Sequence, residues 1–128
     1  MKWRTAVDRA LTSHGLTHAQ YVVLSSLVAL DRPSQRELAD HTGLEPLYVS
    51  KLARALEASG LIARTRDAVD TRTVRLTLTD SGRDVVGPAI EVVRDLLDRL
   101  LEPLGGRSGD RTAELSRELT ALLEVPLD

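Results

Sequence analysis

The basic residues of this 128-residue chain gather in one segment. The formal net charge is −2, yet residues 47–75 carry six basic against three acidic groups, and residues 76–128 carry six against eleven. Lysine and arginine at this density can neutralise phosphates, which is the chemistry of nucleic-acid binding. Ordinary solvated surface charge would give the same count. The basic residues of the segment are Lys51, Arg54, Arg64, Arg66, Arg72 and Arg75.

Other kinds of chemistry lack the residues they need. The chain has no Cys, which excludes disulfides, thiolate metal sites and thiol redox switches. His14 and His18 are four apart, but Gly15 and Thr17 lie between them, and the ligand set for zinc is incomplete. There is no glycine-rich phosphate loop and no nucleophile–base set. We therefore expect no metal, no cofactor and no enzymatic activity.

Composition favours one helical domain. A length of 128 residues with 42% hydrophobic residues suits a single packed domain. With no Phe and only three aromatic residues, the core must consist of Leu, Val and Ala, which favours helices. No apolar run reaches the ~18 residues that span a bilayer, and no secretory segment is evident. We expect a cytoplasmic protein without a membrane partner.

The elements that must position the basic residues follow from hydrophobic spacing and capping signals. Capping boxes at 17–20 and 34–37 open two of the helices. The pair Gly87–Pro88 is expected to bend or interrupt the fifth helix. Helices are predicted at about 2–13, 18–30, 35–41, 46–59, 80–102 and 110–124, and strands at 61–66 and 73–78.

The two short central helices have the pattern of a helix-turn-helix. Ala39 is a small residue where the helices cross, Gly43 supplies the turn, and Val49 anchors the second helix. A hairpin follows directly. Together these features predict a winged helix-turn-helix, with recognition helix 46–59 and the hairpin as the wing.

Four stretches of the sequence resemble the multiple-antibiotic-resistance regulator (MarR) family. They are LTHAQYVVLSSL, SQRELADHTGL, VSKLARALEASGLIAR and DTRTVRLTLTDSGR, and the resemblance runs over about residues 15–88. Its most specific parts are the Leu-Thr-x-x-Gln motif at Leu16–Gln20 and the Asp70-x-Arg72 motif, followed by Leu78-Thr79. The flanking helices agree with the family in position rather than in motif.

The resemblance implies a mostly α-helical fold with a small β-hairpin wing. The DNA-binding lobe would be residues 16–79, and residues 1–14 and 80–128 would form terminal dimerisation helices. Because the first helix is short for the family, we expect the dimer contact to rest mainly on residues 80–124. The family members are homodimers that bind pseudo-palindromic double-stranded DNA, and many release it when a small-molecule effector binds. We expect a repressor; the alternative is a winged-helix module that binds protein.

The resemblance also assigns roles on the recognition helix. Leu47 and Tyr48 stand where the family commonly has short polar residues; Leu47 can touch a thymine methyl, and Tyr48 can donate to a base or phosphate. The alternative for Tyr48 is packing against the wing. The expected DNA-contacting residues are Leu47, Tyr48, Ser50, Lys51 and Arg54, and the expected supporting residues are Ser34, Gln35, Arg36, Ala39, Gly43 and Val49.

The wing and an effector pocket complete the expected site. Arg72 is expected to enter a narrow minor groove, oriented by Asp70, although a plain surface ion pair would explain the same two residues. Arg64, Arg66 and Arg75 are expected to neutralise phosphates. An effector pocket is expected near His14, Tyr21 and Val86, although Tyr21 also suits the core.

Overall fold

A computed structural model of the chain describes residues 2–125. The order of elements matches the prediction, and the mostly helical fold with one antiparallel hairpin is confirmed. In chain order the elements are α1 (Lys2–Ser13), α2 (His18–Ala29), α3 (Gln35–Thr42), α4 (Pro46–Ala58), β1 (Ile62–Arg66), β2 (Val74–Leu78), α5 (Asp80–Leu100), a 3₁₀ turn (Glu102–Leu104) and α6 (Asp110–Leu123).

Helix α2 is the centre of the packing, as its nearly continuous apolar sequence predicts. It contacts α1, α3, α4, α5 and β2, and its Val23 and Leu24 are fully buried. Val28, near the end of this helix, is 56% exposed. The core consists of aliphatic residues, among which Leu11, Leu24, Leu38, Leu56, Leu76, Val23, Val49 and Val86 are fully buried.

The predicted helix starts are confirmed in their hydrogen bonds. Thr17 and Gln20 form a reciprocal capping box at α2, with the Thr17 amide donating to Gln20 Oε1 at 3.0 Å. Ser34 Oγ accepts the Glu37 amide at the start of α3, and Thr79 Oγ1 accepts the Gly82 amide at the start of α5. These side chains satisfy amides that the helices leave unpaired.

The corner between α3 and α4 has the geometry of a helix-turn-helix. Gly43 ends α3 with a φ of 73°, a left-handed conformation that glycine adopts without strain. Pro46 occupies the first turn of α4. Ala39 and Val49 are buried, so the three residues predicted to hold this corner have the burial and backbone geometry that the prediction requires.

The wing hairpin is joined to α3 through the backbone. Strands β1 and β2 pair antiparallel from Ile62 opposite Leu78 to Arg66 opposite Val74. Next to β2, Ser34 forms an isolated bridge with Arg75, and the Leu76 amide donates to the Pro33 carbonyl at 2.9 Å. Strand β2 of the wing is therefore attached to the short segment at the start of α3.

Helix α5 runs without interruption through Gly87 and Pro88, which corrects the expectation of a break there. A residue before proline avoids the helical conformation partly because its Cβ meets the proline ring, and Gly87 has no Cβ. Val86 and Ala89 are buried on either side of the pair and hold the helix on the core. The packing of α5 on the core thus compensates for the helix hydrogen bond that is lost because Pro88 has no backbone N–H.

The C-terminal part of the described chain packs loosely. None of the α6 side chains is buried, and α6 contacts mainly the preceding 3₁₀ turn. Its leucines nevertheless have the spacing of one apolar helix face: Leu115, Leu119, Leu122 and Leu123. Within residues 2–125, no helix combines the length and apolar character that a membrane span requires.

Candidate nucleic-acid interface

The outer face of α4 presents side chains that the core does not use. Val49, Ala53 and Leu56 point inward and are buried. On the opposite side, Leu47 is 62% exposed and Tyr48 is 44% exposed. Lys51 and Arg54 are exposed, and Ser50 is half-buried. Leu47, Lys51 and Arg54 follow i, i+4, i+7 spacing and form one stripe along the helix.

The two cations of this stripe are available for a ligand. Among the residues that the structure describes, no carboxylate lies within ion-pair distance of Lys51 or Arg54. A cation without an internal partner keeps its full attraction for an anion approaching from solvent. The recognition-helix prediction for Lys51 and Arg54 is therefore compatible with where the structure places them.

A cleft of about 560 Å³ separates the start of α4 from the wing. Two arginines, Arg36 on α3 and Arg72 on the wing, lie on it, and the first turns of α3 and α4 border it. Helix N-termini present unpaired amides and partial positive charge, which favour anions. The residues that line the cleft are Ser34, Gln35, Arg36, Pro46, Arg72, Thr73 and Val74.

Arg72 projects from the tip of the wing. Its side chain is 93% exposed, and its Nε lies 3.5 Å from Asp70 Oδ1. Asp70 Oδ1 also accepts the Arg72 amide at 3.1 Å, so the carboxylate fixes the backbone more closely than it holds the guanidinium. Arg66 braces the tip from the other strand by donating to the Thr71 carbonyl at 2.8 Å. The predicted Asp70–Arg72 pair is present as a loose surface contact.

Arg64 and Arg75, both expected to bind phosphate, are directed toward the helix-turn-helix. Arg64 Nε donates to Gln35 Oε1 at 3.2 Å, and its Nη1 lies 3.6 Å from Glu57 Oε1. Arg75 Nη1 donates to Glu37 Oε1 at 2.9 Å. Each strand of the wing thus contributes one arginine to contacts with α3.

A second carboxylate contacts Arg75 from the tip of the wing. Arg75 Nε donates to Asp67 Oδ1 at 3.3 Å. The Asp70 amide, followed by Arg75, holds the pKa of Asp67 below its usual value. Hydrogen bonds from Ser34, followed by Arg75, lower the pKa of Glu37, and the two carboxylates raise the pKa of Arg75. The guanidinium and the two carboxylates thus favour one another's charged forms.

Sequence reasoning missed Glu37 and Glu57 as partners of the wing. Glu37 is 38 residues from Arg75 along the chain, and no local spacing links the two. The sequence did contain one indirect signal. The wing segment carries more arginines than its acidic residues can balance, so partners elsewhere in the chain are required if those arginines are not all free.

The three residues expected at an effector pocket do not come together. Tyr21 lies on a cavity of about 570 Å³ between α1, α2 and α5, whereas Val86 is fully buried and borders a different, smaller cavity. His14 lines neither cavity, and its Nδ1 lies 2.9 Å from the Ala10 carbonyl. The cavity beside Tyr21 is lined by Trp3, Arg4, Val7, Asp8, His18, Tyr21 and Val93.

The cavity beside Tyr21 combines aromatic and charged side chains. Burial raises the pKa of the Tyr21 hydroxyl, and the charge of Arg94 partly opposes that shift. In the part of the chain that the structure describes, no cluster of three His, Asp or Glu side chains could hold a metal ion.

Comparisons with known proteins identify the family. The family model described as MarR family matches residues 16–74. An HTH-type transcriptional repressor of Mycobacterium tuberculosis is 34% identical over 121 residues, which cover 94% of this chain and 82% of that protein. The chain belongs to the MarR family. The resemblance in the four sequence stretches is thereby confirmed.

Solved structures of MarR-like regulators share the fold of this MarR-family protein. The S. aureus MepR–DNA complex superposes with a TM-score of 0.83 at 27% identity, covering 95% of this chain and 88% of that chain. The transcriptional repressor CouR, bound to a 23-mer DNA duplex, superposes with a TM-score of 0.80 at 34% identity, covering 94% and 84%. The predicted winged-helix architecture is confirmed, and the chain is a transcriptional regulator of this family.

Proposed function

We propose that this MarR-family protein is a cytoplasmic, homodimeric repressor that binds a pseudo-palindromic DNA operator and releases it when a small-molecule effector binds. It regulates transcription without catalysing a reaction. Similarity to a repressor and to two DNA-bound regulators supports this proposal. The protein-binding module considered from the sequence is not favoured by these relatives.

The observation that carries the proposal is that exposed cations project from both α4 and the wing. Lys51 and Arg54 project from α4, and Arg72, held only loosely by Asp70, projects from the wing. A recognition helix in the major groove and a wing arginine in the adjacent minor groove require two such projections. We assign Leu47, Tyr48 and Ser50 to the surface that faces the bases.

The dimer would form through the helices outside the DNA-binding lobe. Leu100 on α5 and Leu119 on α6 are each 50% exposed. A second copy paired over this apolar face would bury it. Two recognition helices about 34 Å apart would then match one turn of B-DNA.

The effector would occupy the cavity between α1, α2 and α5. Its position beside the dimerisation helices connects it to the spacing of the two lobes. An effector that binds better to a dimer with another spacing would shift the population away from the DNA-binding form. Trp3, Arg4 and Tyr21 provide both apolar and charged contacts for such a molecule.

The test measures operator affinity over a range of salt concentrations. The operator is first selected from genomic fragments, and fluorescence anisotropy then follows binding of Lys51→Ala and Arg72→Ala. We expect each substitution to weaken binding by roughly fivefold or more, and Lys51→Ala to reduce the salt slope by about one. Arg117→Ala on α6 is the control, because it removes an equal charge outside the lobe.

Two results would contradict the proposal. Failure of the wild-type dimer to bind any duplex at low salt would favour a protein partner. Equal effects of Arg117→Ala and the two lobe substitutions would show that only overall charge matters. Sedimentation of the same samples establishes whether each variant is still a dimer.

A further inference from the structure

Arg75 connects three parts of the DNA-binding lobe. It reaches Glu37 in α3 at 2.9 Å and Asp67 at the start of the wing tip at 3.3 Å. Its Nη1 also lies 3.4 Å from the carbonyl of Arg32, which precedes α3. Asp67 in turn accepts the Asp70 amide at 2.9 Å, so this side chain is joined to the turn that carries Arg72.

The charge of Arg75 is already balanced by these contacts. Two carboxylates, Glu37 and Asp67, lie within ion-pair distance of one guanidinium and offset its charge. A DNA phosphate approaching Arg75 would also approach Glu37, whose side chain is largely exposed. Like charges at this distance repel, so Arg75 is a poor phosphate ligand compared with Lys51.

The wing needs an attachment of this kind. Two strands of five residues each form a hairpin that is marginally stable when isolated. The backbone link between β2 and the start of α3 occurs at Arg75, through its bridge with Ser34, and at the neighbouring Leu76. The side chain of Arg75 therefore reinforces the point at which the wing is joined to the helix-turn-helix.

We propose that Arg75 is a positioning residue that fixes the wing against α3, so that Arg72 reaches the DNA, and that Arg75 itself does not bind phosphate. This inference rests on the proposed DNA-binding function. It replaces the role expected for Arg75 from the sequence, because that expectation counted the arginine as free.

Conservative and neutral substitutions distinguish the two roles. A positioning role requires contacts to two carboxylates in different directions, which lysine cannot reproduce. Arg75→Lys and Arg75→Gln should then both weaken operator binding by about fivefold or more, with an unchanged salt slope. A phosphate role predicts that Arg75→Lys binds like the wild type and that Arg75→Gln reduces the slope by about one. Lys51→Gln serves as the reference for a lost phosphate contact.

Glu37→Gln tests whether the loss of this carboxylate strengthens or weakens operator binding. Removing an acidic group near DNA strengthens binding when only charge matters. Because Glu37 holds Arg75, we expect weaker binding instead, by about threefold or more. Stronger binding by Glu37→Gln, or wild-type binding by Arg75→Lys, overturns the proposal.

Hydrogen exchange in the free protein gives a result that does not depend on DNA. The Leu76 amide, which bonds to Pro33, should exchange at least about threefold faster in Arg75→Gln and in Glu37→Gln. The amide of buried Leu27 in α2 should be unchanged, which shows that the variants fold. Unchanged Leu76 exchange overturns the inference, whereas failure of the wild type to bind any duplex overturns the proposed function instead.

Discussion

Leu47 is an apolar side chain on the exposed face of α4, where a polar side chain would cost no stability. It is 62% exposed and lies in the first turn of α4, beside the cation of Lys51. Leu47 gains little from burial within the chain, so its apolar side chain is available to contact a ligand. The apolar group that DNA offers in the major groove is the thymine methyl.

Replacement of single operator thymines by uracil tests this contact. Uracil lacks only the 5-methyl group, which is worth about 0.8 kcal/mol when buried, or about a fourfold change in affinity. We expect one such position in each half-site to weaken wild-type binding by that amount in fluorescence anisotropy. The same replacement should have no effect on Leu47→Ala, since the methyl then meets no leucine.

A second variant serves as the control for this experiment. Lys51→Ala keeps Leu47 and should therefore still discriminate thymine from uracil, although it binds more weakly overall. A uracil effect that persists in Leu47→Ala would assign the methyl contact to another side chain, with Tyr48 as the next candidate.

Residues with local partners were predictable, and residues with distant partners were not. Thr17 and Gln20, which cap α2 together, are three residues apart in the sequence. Gly43 adopts the left-handed conformation that the turn at its own position requires. The contact of Arg75 with Glu37 spans 38 residues, and only the fold brings the two together. Composition therefore located the basic segment correctly but not which of its charges remain unpaired.

Helix α5 is joined to the wing at a position where only glycine fits. A Cβ on Gly82 would overlap the Leu61 carbonyl and press on Leu78, and a backbone oxygen cannot move aside as a side chain can. We expect Gly82→Ala to lower the free energy of unfolding by roughly 1–3 kcal/mol, measured by urea denaturation at fixed protein concentration.

The neighbouring position is the control for this substitution. Ser81 is exposed in the same turn of α5, so Ser81→Ala should change the free energy of unfolding by less than about 0.5 kcal/mol. Equal stability of Gly82→Ala and the wild type would show that the hairpin and α5 separate easily, contrary to their close contact.

At the scale of elements, periodicity predicted the order and type of every α-helix and strand described, although not the 3₁₀ turn at Glu102–Leu104. The exception was Gly87–Pro88, where a local rule predicted a bend or an interruption and α5 is not interrupted. The burial of Val86 and Ala89 decided that outcome, and burial depends on the other helices rather than on the pair itself.

For the whole molecule, the apolar face of α6 is left largely exposed within residues 2–125. Leu119 is half exposed, and none of the α6 side chains is buried. We expect Leu119→Glu to convert the dimer to a monomer and to weaken operator binding by at least about tenfold. Sedimentation equilibrium measures the first effect and anisotropy the second.

Since α6 contributes nothing to the monomer core, the monomer of Leu119→Glu should keep its helical circular dichroism. Val69→Glu is the matched control: it places the same charge on an exposed apolar position of the wing, so it should leave the dimer intact. A dimeric Leu119→Glu protein would move the dimer contact away from α6.

The candidate site was predictable in outline but not as a cavity. The family motifs located the recognition helix and the wing. The sequence indicated only the neighbourhood of the expected effector pocket. The shape of the cavity beside Tyr21 could not be predicted, because it depends on how α1 crosses α2 and α5. Of the three residues expected there, Tyr21 lines the cavity and His14 and Val86 do not.

The contacts of Arg64 and Arg75 with α3 have a consequence for the search through a genome. Every unpaired cation holds a DNA-binding protein on all sequences alike, and a genome offers on the order of 10⁶ or more wrong sites. With Arg64 and Arg75 held by Gln35, Glu57, Glu37 and Asp67, the wing contributes less to that indiscriminate attraction. The regulator would spend less time trapped on unrelated sequences, and fewer copies per cell would suffice to keep its operator occupied.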